Sequence, residues 1–175
     1  MNFTALTISM RHQLIPWVGS SISRAVVPPD VDLRWTVKLN PPIKLSWSKH
    51  IELWDQELQR LSGTWVLLLS DDNAMHPDLL HRWRTVLQHS PGVKALHVRQ
   101  QFGPQSFRSA GLDHLCGGRC DGGQVIFDAD YFNSFGWSYA RHQWEGDLFR
   151  EMHDRNPSAF AFLDETLAYH DRINW

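Results

Sequence analysis

Segments with strand-type spacing of apolar residues alternate with segments of helix-type spacing along most of the chain. Alternating or continuous apolar runs predict strands over residues 4–10, 33–39, 64–69, 93–100, 124–132 (with a short turn at its end) and 159–170. Apolar positions at helical spacing predict helices over residues 11–27, 48–63, 77–90 and 144–155. The alternation indicates an α/β fold with a mainly parallel central sheet and helices on both faces.

Prolines, serines and glycines mark the ends of these helices. Pro16 interrupts the first helix, and Pro28 and Pro29 stop it. Ser48 can cap the start of the second helix, which Gly63 ends. At 175 residues, we expect one domain spanning residues 1–175.

Residues 101–123 lack any hydrophobic period and are rich in glycine, which predicts a long functional or mobile loop. We expect residues 103–121 to be mobile in the free protein. They would order over a bound ligand and so exclude water from it.

Composition excludes several classes of protein. Hydrophobic residues make up 42% and charged residues 21%, as in ordinary globular proteins, and the net charge of -2 gives no general attraction to nucleic acid or anionic membranes. The apolar runs are too short for a transmembrane helix, and the N-terminal residues lack the pattern of a signal peptide. With two cysteines, a cytoplasmic location is the expectation. The nine tryptophans are expected mainly in packing.

The most informative pattern is a buried strand that runs directly into acids. Residues 64–69 are followed by Ser70, Asp71 and Asp72. In an open α/β sheet, ligands bind beyond the carboxyl ends of the strands, and Mg²⁺ or Mn²⁺ needs only one or two carboxylates plus substrate phosphates. The alternative is a solvated turn in which Asp71 or Asn73 caps the next helix.

An ordered set of motifs over about residues 3–170 resembles the GT-A fold glycosyltransferases, especially the family 2 type, whose single domain is Rossmann-like. Four segments carry the resemblance: the helix, strand and acids of residues 55–80, the glycine-containing turn of 122–137, the acidic helix start of 144–149, and the last strand ending at 170. The sequence departs from the family's Asp-x-Asp motif at Ser70. It has Asn40 near the position of the family's early acidic motif.

The resemblance implies transfer of a sugar from a nucleotide diphosphate sugar, first of all a UDP-sugar, to an acceptor hydroxyl. It implies Mn²⁺ or Mg²⁺ held by Asp72, with His170 as a second ligand. Glu145 is the first candidate for the general base of an inverting reaction, and Asp147 is the second. Because both lie at a helix start, we expect the base to be ionised at neutral pH without special tuning.

The resemblance also implies contacts with the nucleotide sugar. The candidates are Arg11, His12, Asn40, Asp71, Gly122 and Gly123. Lys49 and Arg172 could meet phosphate, and Arg108 or Arg119 could contact either substrate.

Three other interpretations remain open on the sequence. One is a non-catalytic module that binds nucleotide sugars or carbohydrate. Another is a haloacid-dehalogenase-like phosphatase, although Ser70 stands where that class needs a nucleophilic Asp. The last is a zinc site of His114, Cys116 and Cys120, which is one ligand short of a closed structural set.

Overall fold

A computed structural model describes residues 1–9, 11–39, 46–138, 141–142 and 144–170, apart from the side chains of His12 and Trp47. In this part of the chain, the strands are β1 Asn2–Ser9, β2 Asp32–Leu39, β3 Trp65–Leu68, β4 Asn73–Met75, β5 Ala95–Gly103, β6 Ser106–Arg108, β7 Val125–Asp128 and β8 Phe160–His170. The α-helices are α1 Ile15–Ser23, α2 Trp47–Leu58, α3 Leu79–His89, α4 Ala129–Asn133 and α5 Glu145–Arg155. Short 3-10 turns cover His12–Leu14, Leu112–His114, Gly122–Gln124 and Pro157–Ala159.

The strands form one sheet in the order β2-β1-β3-β7-β5-β8-β4, and β6 pairs with the outer end of β5. β1 is parallel to β2 and β3, and β5 is parallel to β8, whereas β7 is antiparallel to both of its neighbours. β1, β2, β3, β5 and β8 therefore point in one direction, which confirms the mainly parallel sheet. The carboxyl ends of β1, β3 and β8 meet the amino ends of β4 and β7 at one edge.

Helices cover both faces of this sheet because side chains alternate along each strand. In β3, Val66 and Leu68 pack in a core with α2, α4 and α5, whereas Trp65 and Leu67 pack in a second core with α1 and α3. Trp83 of α3 is fully buried in the second core, with its ring centroid 5.4 Å from that of Trp65. Tryptophan packing is thus confirmed at these positions.

Several boundaries differ from the sequence prediction. The predicted loop over residues 101–123 is wrong at its start, because β5 continues through Gly103 and β6 pairs back on it. The cap of α2 is Ser46, whose hydroxyl accepts a bond of 3.3 Å from the Lys49 amide, and not Ser48. None of the described helices is long and apolar enough to cross a membrane.

The first turn of α5 packs directly on the backbone of the segment before β7. A Cβ atom at Gly146 would lie 2.3 Å from the carbonyl oxygen of Cys116, so the two backbones could not stay this close. We expect Gly146→Ala to lower the free energy of unfolding by ~1–3 kcal/mol, the usual cost of overpacking. Urea denaturation measures it. Gly92→Ala is the matched control, because a Cβ there meets nothing within 4 Å. Equal stabilities of the two variants would contradict the close contact.

Candidate functional site

A cleft of about 380 Å³ opens where the carboxyl ends of β1, β3 and β8 meet the amino ends of β4 and β7. Its lining combines carboxylates, guanidinium groups, imidazoles and one exposed indole. The described lining residues are Ile8, Arg11, His50, Ser70, Asp71, Asp72, Arg108, Gly118, Cys120, Asp121, Trp144, Glu145 and His170.

Asp71 joins the ends of β1 and β3. One carboxylate oxygen accepts bonds from the Ser9 hydroxyl at 2.9 Å and the Arg11 amide at 3.0 Å, and the other accepts from the Arg11 guanidinium, with Nε at 2.8 Å. Burial disfavours the charged form of Asp71, but the bonds from Arg11 and Ser9 outweigh burial and lower its pKa. The interpretation of Asp71 as a helix cap is therefore wrong. Asp71 instead fixes Arg11 at the cleft wall.

Asp72 and His170 lie close together, as the sequence analysis required of metal ligands. Asp72 accepts a bond of 2.7 Å from Arg11 through Oδ2, and its Oδ1 lies 3.8 Å from Nδ1 of His170. That nitrogen is also 2.7 Å from the Asn73 side-chain oxygen and 3.8 Å from Oδ2 of Asp121. β4 carries Asn73 beside His170 through its pairing with β8.

The donor types fit a hard or borderline cation, although the described residues contain no group of three His, Cys, Asp or Glu arranged to hold one. Carboxylate oxygens suit Mg²⁺ and Mn²⁺, and an imidazole is also compatible with Mn²⁺. Asp72 and His170 are two donors, and a cation of this kind takes more ligands than two.

Asp121 is a cleft residue that the sequence analysis missed. It caps the 3-10 turn before β7, where Oδ1 accepts from the Gly123 amide at 2.8 Å and from Asn73 Nδ2 at 2.7 Å. Its own amide donates to Gln124 at 3.0 Å, which completes a capping box. The Asp-x-x-Gln spacing was the available signal. It was hidden by the prediction of an irregular loop.

Glu145 begins α5 at the wall of the cleft, half-buried against the turn that contains Gly122. Burial, and next the negative charge of Asp121, raise the pKa of Glu145 to about 7. The expectation of an untuned, fully ionised acid is therefore wrong. The effect of desolvation on the pKa of Glu145 is larger than that of its position at the helix start.

Asp147 has a different environment from Glu145. Its Oδ1 accepts a bond of 3.0 Å from the Gly117 amide, and Asp147 is not among the described residues that line the cleft. Its contact anchors the segment before β7 to α5. In that segment Leu115 is fully buried, so at least this part of the expected mobile loop is packed in the core.

Gly122 and Gly123 are buried and are not among the described residues that line the cleft. A Cβ at Gly123 would lie 2.6 Å from the Asn73 side chain, and one at Gly122 would lie 3.2 Å from Leu68. Close packing of the turn on β3 and β4 explains both glycines.

The remaining candidates are spread over the fold. Arg108 lines the cleft, whereas Lys49 pairs with Glu52 on α2 at 2.8 Å, and Arg119 is exposed outside the described lining. Only the backbone of His12 is described, and Asn40 and Arg172 lie outside the described residues.

The cysteines are both free. Cys120 is buried, with its sulfur 4.0 Å from Nε2 of His97, and burial raises the pKa of its thiol. Cys116 contacts the Asp113 carbonyl at 3.9 Å, so each sulfur has its own environment. The described contacts do not support the zinc interpretation.

No protein-family model matches the sequence, and none of the curated proteins is similar to it. Among solved structures, S. aureus TarS 1-349 in complex with UDP-GlcNAc superposes with a TM-score of 0.70 at 10% identity, over 100% of this chain and 60% of that one. The chain has the GT-A fold. Because the superposition covers 60% of the TarS chain, this chain spans less than two thirds of the length of that neighbour.

Two further neighbours share the architecture. Glucosyl-3-phosphoglycerate synthase from Mycobacterium tuberculosis, in complex with Mn²⁺, UDP-Glc and phosphoglyceric acid, has a TM-score of 0.57 at 13% identity, over 98% of this chain and 73% of that one. A glycosyltransferase involved in glycosylation of the major capsid of PBCV-1 has a TM-score of 0.54 at 11% identity, over 99% of this chain and 96% of that one.

Removing the Arg11 charge tests whether the pair with Asp71 holds the strand ends together. We expect Arg11→Gln to lower the free energy of unfolding by ~1–3 kcal/mol at pH 7, less than for a fully buried pair because Arg11 is half exposed. A carboxylate with a lowered pKa stabilises the fold at neutral pH and loses that contribution in acid. The difference from wild type should therefore shrink below about pH 4.

Denaturant melts at several pH values measure this effect. Arg34→Gln is the control, because Arg34 forms an exposed pair with Asp32 at 2.9 Å that contributes little. The same loss in both variants, or a loss for Arg11→Gln that does not depend on pH, would contradict the role of Asp71.

Proposed function

We propose that this protein is a glycosyltransferase that moves a sugar from a nucleotide diphosphate sugar to an acceptor hydroxyl. The observation that carries the proposal is the cleft at the strand ends of a GT-A fold. It presents the guanidinium of Arg11 and the carboxylate of Asp72 beside a half-buried acid, Glu145, whose pKa lies near 7. Perturbed carboxyl groups in a cleft are typical of catalytic sites.

The proposed donor is a UDP-sugar. Among the neighbours, TarS 1-349 was solved with UDP-GlcNAc and the mycobacterial synthase with UDP-Glc. The likeness in fold supports uridine donors as the first to test. Arg11, which Asp71 holds in place, would place positive charge beside the diphosphate.

Asp72 and His170 would hold Mn²⁺ or Mg²⁺ together with diphosphate oxygens. A bound cation of this kind stabilises charge on a departing diphosphate as a Lewis acid. Support for the cation comes from the donor types of the two side chains and from the Mn²⁺ in the mycobacterial neighbour.

Glu145 would act as the general base of an inverting transfer. In its ionised form it takes the proton of the acceptor hydroxyl while the acceptor oxygen bonds to the anomeric carbon and the bond to the diphosphate breaks. A pKa of about 7 suits this task, because the carboxylate is basic enough to accept a proton and still substantially ionised at neutral pH. Asp147, bonded to the Gly117 amide, would only position the wall of the site.

The direct test is release of UDP from UDP-GlcNAc and UDP-Glc with Mn²⁺, in the presence of candidate hydroxyl acceptors. Release that depends on both the protein and the cation supports the proposal. Binding of UDP-sugar with no release for any acceptor would favour a non-catalytic binding module. No binding of UDP or of UDP-sugar would contradict both.

Asp72→Asn should remove most of the Mn²⁺-dependent part of UDP binding, because an amide replaces the anionic ligand. Calorimetry with UDP, with and without Mn²⁺, measures the affinity in wild type and variant. Asp78→Asn is the control, since Asp78 is an exposed acid at the start of α3 without a side-chain capping bond. UDP affinity that is independent of Mn²⁺ in the wild type, or unaltered in Asp72→Asn, would contradict the metal role.

Glu145→Gln should leave donor binding intact and lower transfer by ~10²–10⁴-fold, because the amide cannot take the proton. In wild type, kcat/KM should rise between about pH 6 and 8, as Glu145 ionises through its raised pKa. Asp147→Asn is the matched control at the same helix start, and its effect should be much smaller. Loss of transfer only in Asp147→Asn would move the base to Asp147.

A further inference from the structure

Asp121 presents one carboxylate oxygen to the cleft while the other is held by the fold. Oδ1 accepts from Gly123, from Asn73 and, at 3.5 Å, from Gln100 Nε2. Oδ2 lies 3.6 Å from Nη1 of Arg108 and accepts no hydrogen bond from the described residues. The carboxylate is therefore fixed in direction before any ligand arrives.

Arg108 is fixed in the same way. Its Nη1 donates to the Gln100 side-chain oxygen at 2.7 Å, and its guanidinium carbon lies 5.1 Å from the centre of the Phe102 ring. The gap of 3.6 Å between Oδ2 of Asp121 and Nη1 of Arg108 is longer than a hydrogen bond. A hydroxyl can bridge such a gap, because it donates to a carboxylate and accepts from a guanidinium at the same time.

The position of Asp121 indicates which molecule carries this hydroxyl. On one side, its Oδ2 is 3.8 Å from His170, beside the proposed diphosphate site. On the other side, the following residue, Gly122, lies against Glu145, where a Cβ would be 3.6 Å from Glu145 Cγ. A sugar that is attacked from the side of Glu145 while its diphosphate leaves beside Asp72 and His170 must lie between these groups.

We propose that Asp121, paired with Arg108, recognises a hydroxyl of the donor sugar and so determines which sugar the protein accepts. This inference rests on the proposed function. A carboxylate that accepts from a buried hydroxyl discriminates strongly against a donor that lacks it, since its own desolvation is then uncompensated. Asp121 could instead only cap the turn before β7, or it could be a third ligand of the cation, and experiment distinguishes both roles from sugar recognition.

Asp121→Asn separates these roles, because Asn caps a helical turn as well as Asp does, whereas its side chain has one acceptor oxygen instead of two. The donor to use is whichever of UDP-GlcNAc and UDP-Glc the wild type binds more tightly. Calorimetry with Mn²⁺ should show that Asp121→Asn binds this donor ~10–100-fold more weakly than the wild type does. Affinity for UDP itself, which has no sugar, should change less than about threefold. Asp113→Asn, an exposed acid of the same segment, is the matched control.

Monodeoxy analogues of the preferred donor provide a second measurement that does not depend on the stability of one variant. The wild type should lose ~10–100-fold in affinity for the analogue lacking the recognised hydroxyl, and Asp121→Asn should show little further loss with it. Thermal melting should show that Asp121→Asn is folded. Asp121→Ser, which keeps a capping oxygen, provides the second variant.

Each result separates the inference from the function on which it rests. Equal weakening of UDP and UDP-sugar by Asp121→Asn would assign Asp121 to the cation and overturn the proposal. No weakening of either would leave only the cap and would also overturn it. A wild-type protein that binds neither UDP nor UDP-sugar would refute the proposed function itself.

Discussion

The buried carboxylate of Asp71 is the interaction on which the rest of the cleft depends. It accepts bonds from Ser9 at the end of β1 and from both the backbone and the guanidinium of Arg11. A buried charge is tolerated only when it is paired and hydrogen-bonded, so separating the ends of β1 and β3 would leave this carboxylate without its partners. The same bonds hold Arg11 against Asp72, which gives the cleft a positive group next to a carboxylate at one wall.

The wall of the cleft that contains Glu145 has a different electrostatic environment. Glu145 is half-buried, and its desolvation together with the charge of Asp121 raises its pKa to about 7, whereas Arg11 and Ser9 lower the pKa of Asp71. Two carboxyl groups in one cleft thus have different protonation behaviour, which is how a site can combine a fixed anion with a proton acceptor. Asp121, which also lines the cleft, raises the basicity of Glu145 through its negative charge.

The sequence predicted the elements whose signals are local. The strand over residues 64–69, the acids after it and the acidic start of α5 follow from hydrophobic period and composition, and all of them are present. β4 and β6 were missed because each has three residues, too few for a period, and each forms only by pairing with a strand distant in the chain. The pKa of Glu145 and the place of Asp121 also depend on contacts between distant segments.

The most direct test of this account is hydrogen–deuterium exchange with and without UDP-GlcNAc and Mn²⁺, read segment by segment. The account predicts increased protection in the segments that line the cleft, namely the ends of β1, β3 and β8, the turn from Asp121 to Gln124, and the start of α5. A second, smaller cavity near Arg34 and Arg60 lies at the N-terminal ends of β1 and β3. Protection confined to that cavity, or no change anywhere at a ligand concentration that saturates binding, would contradict the placement of the nucleotide sugar in the cleft.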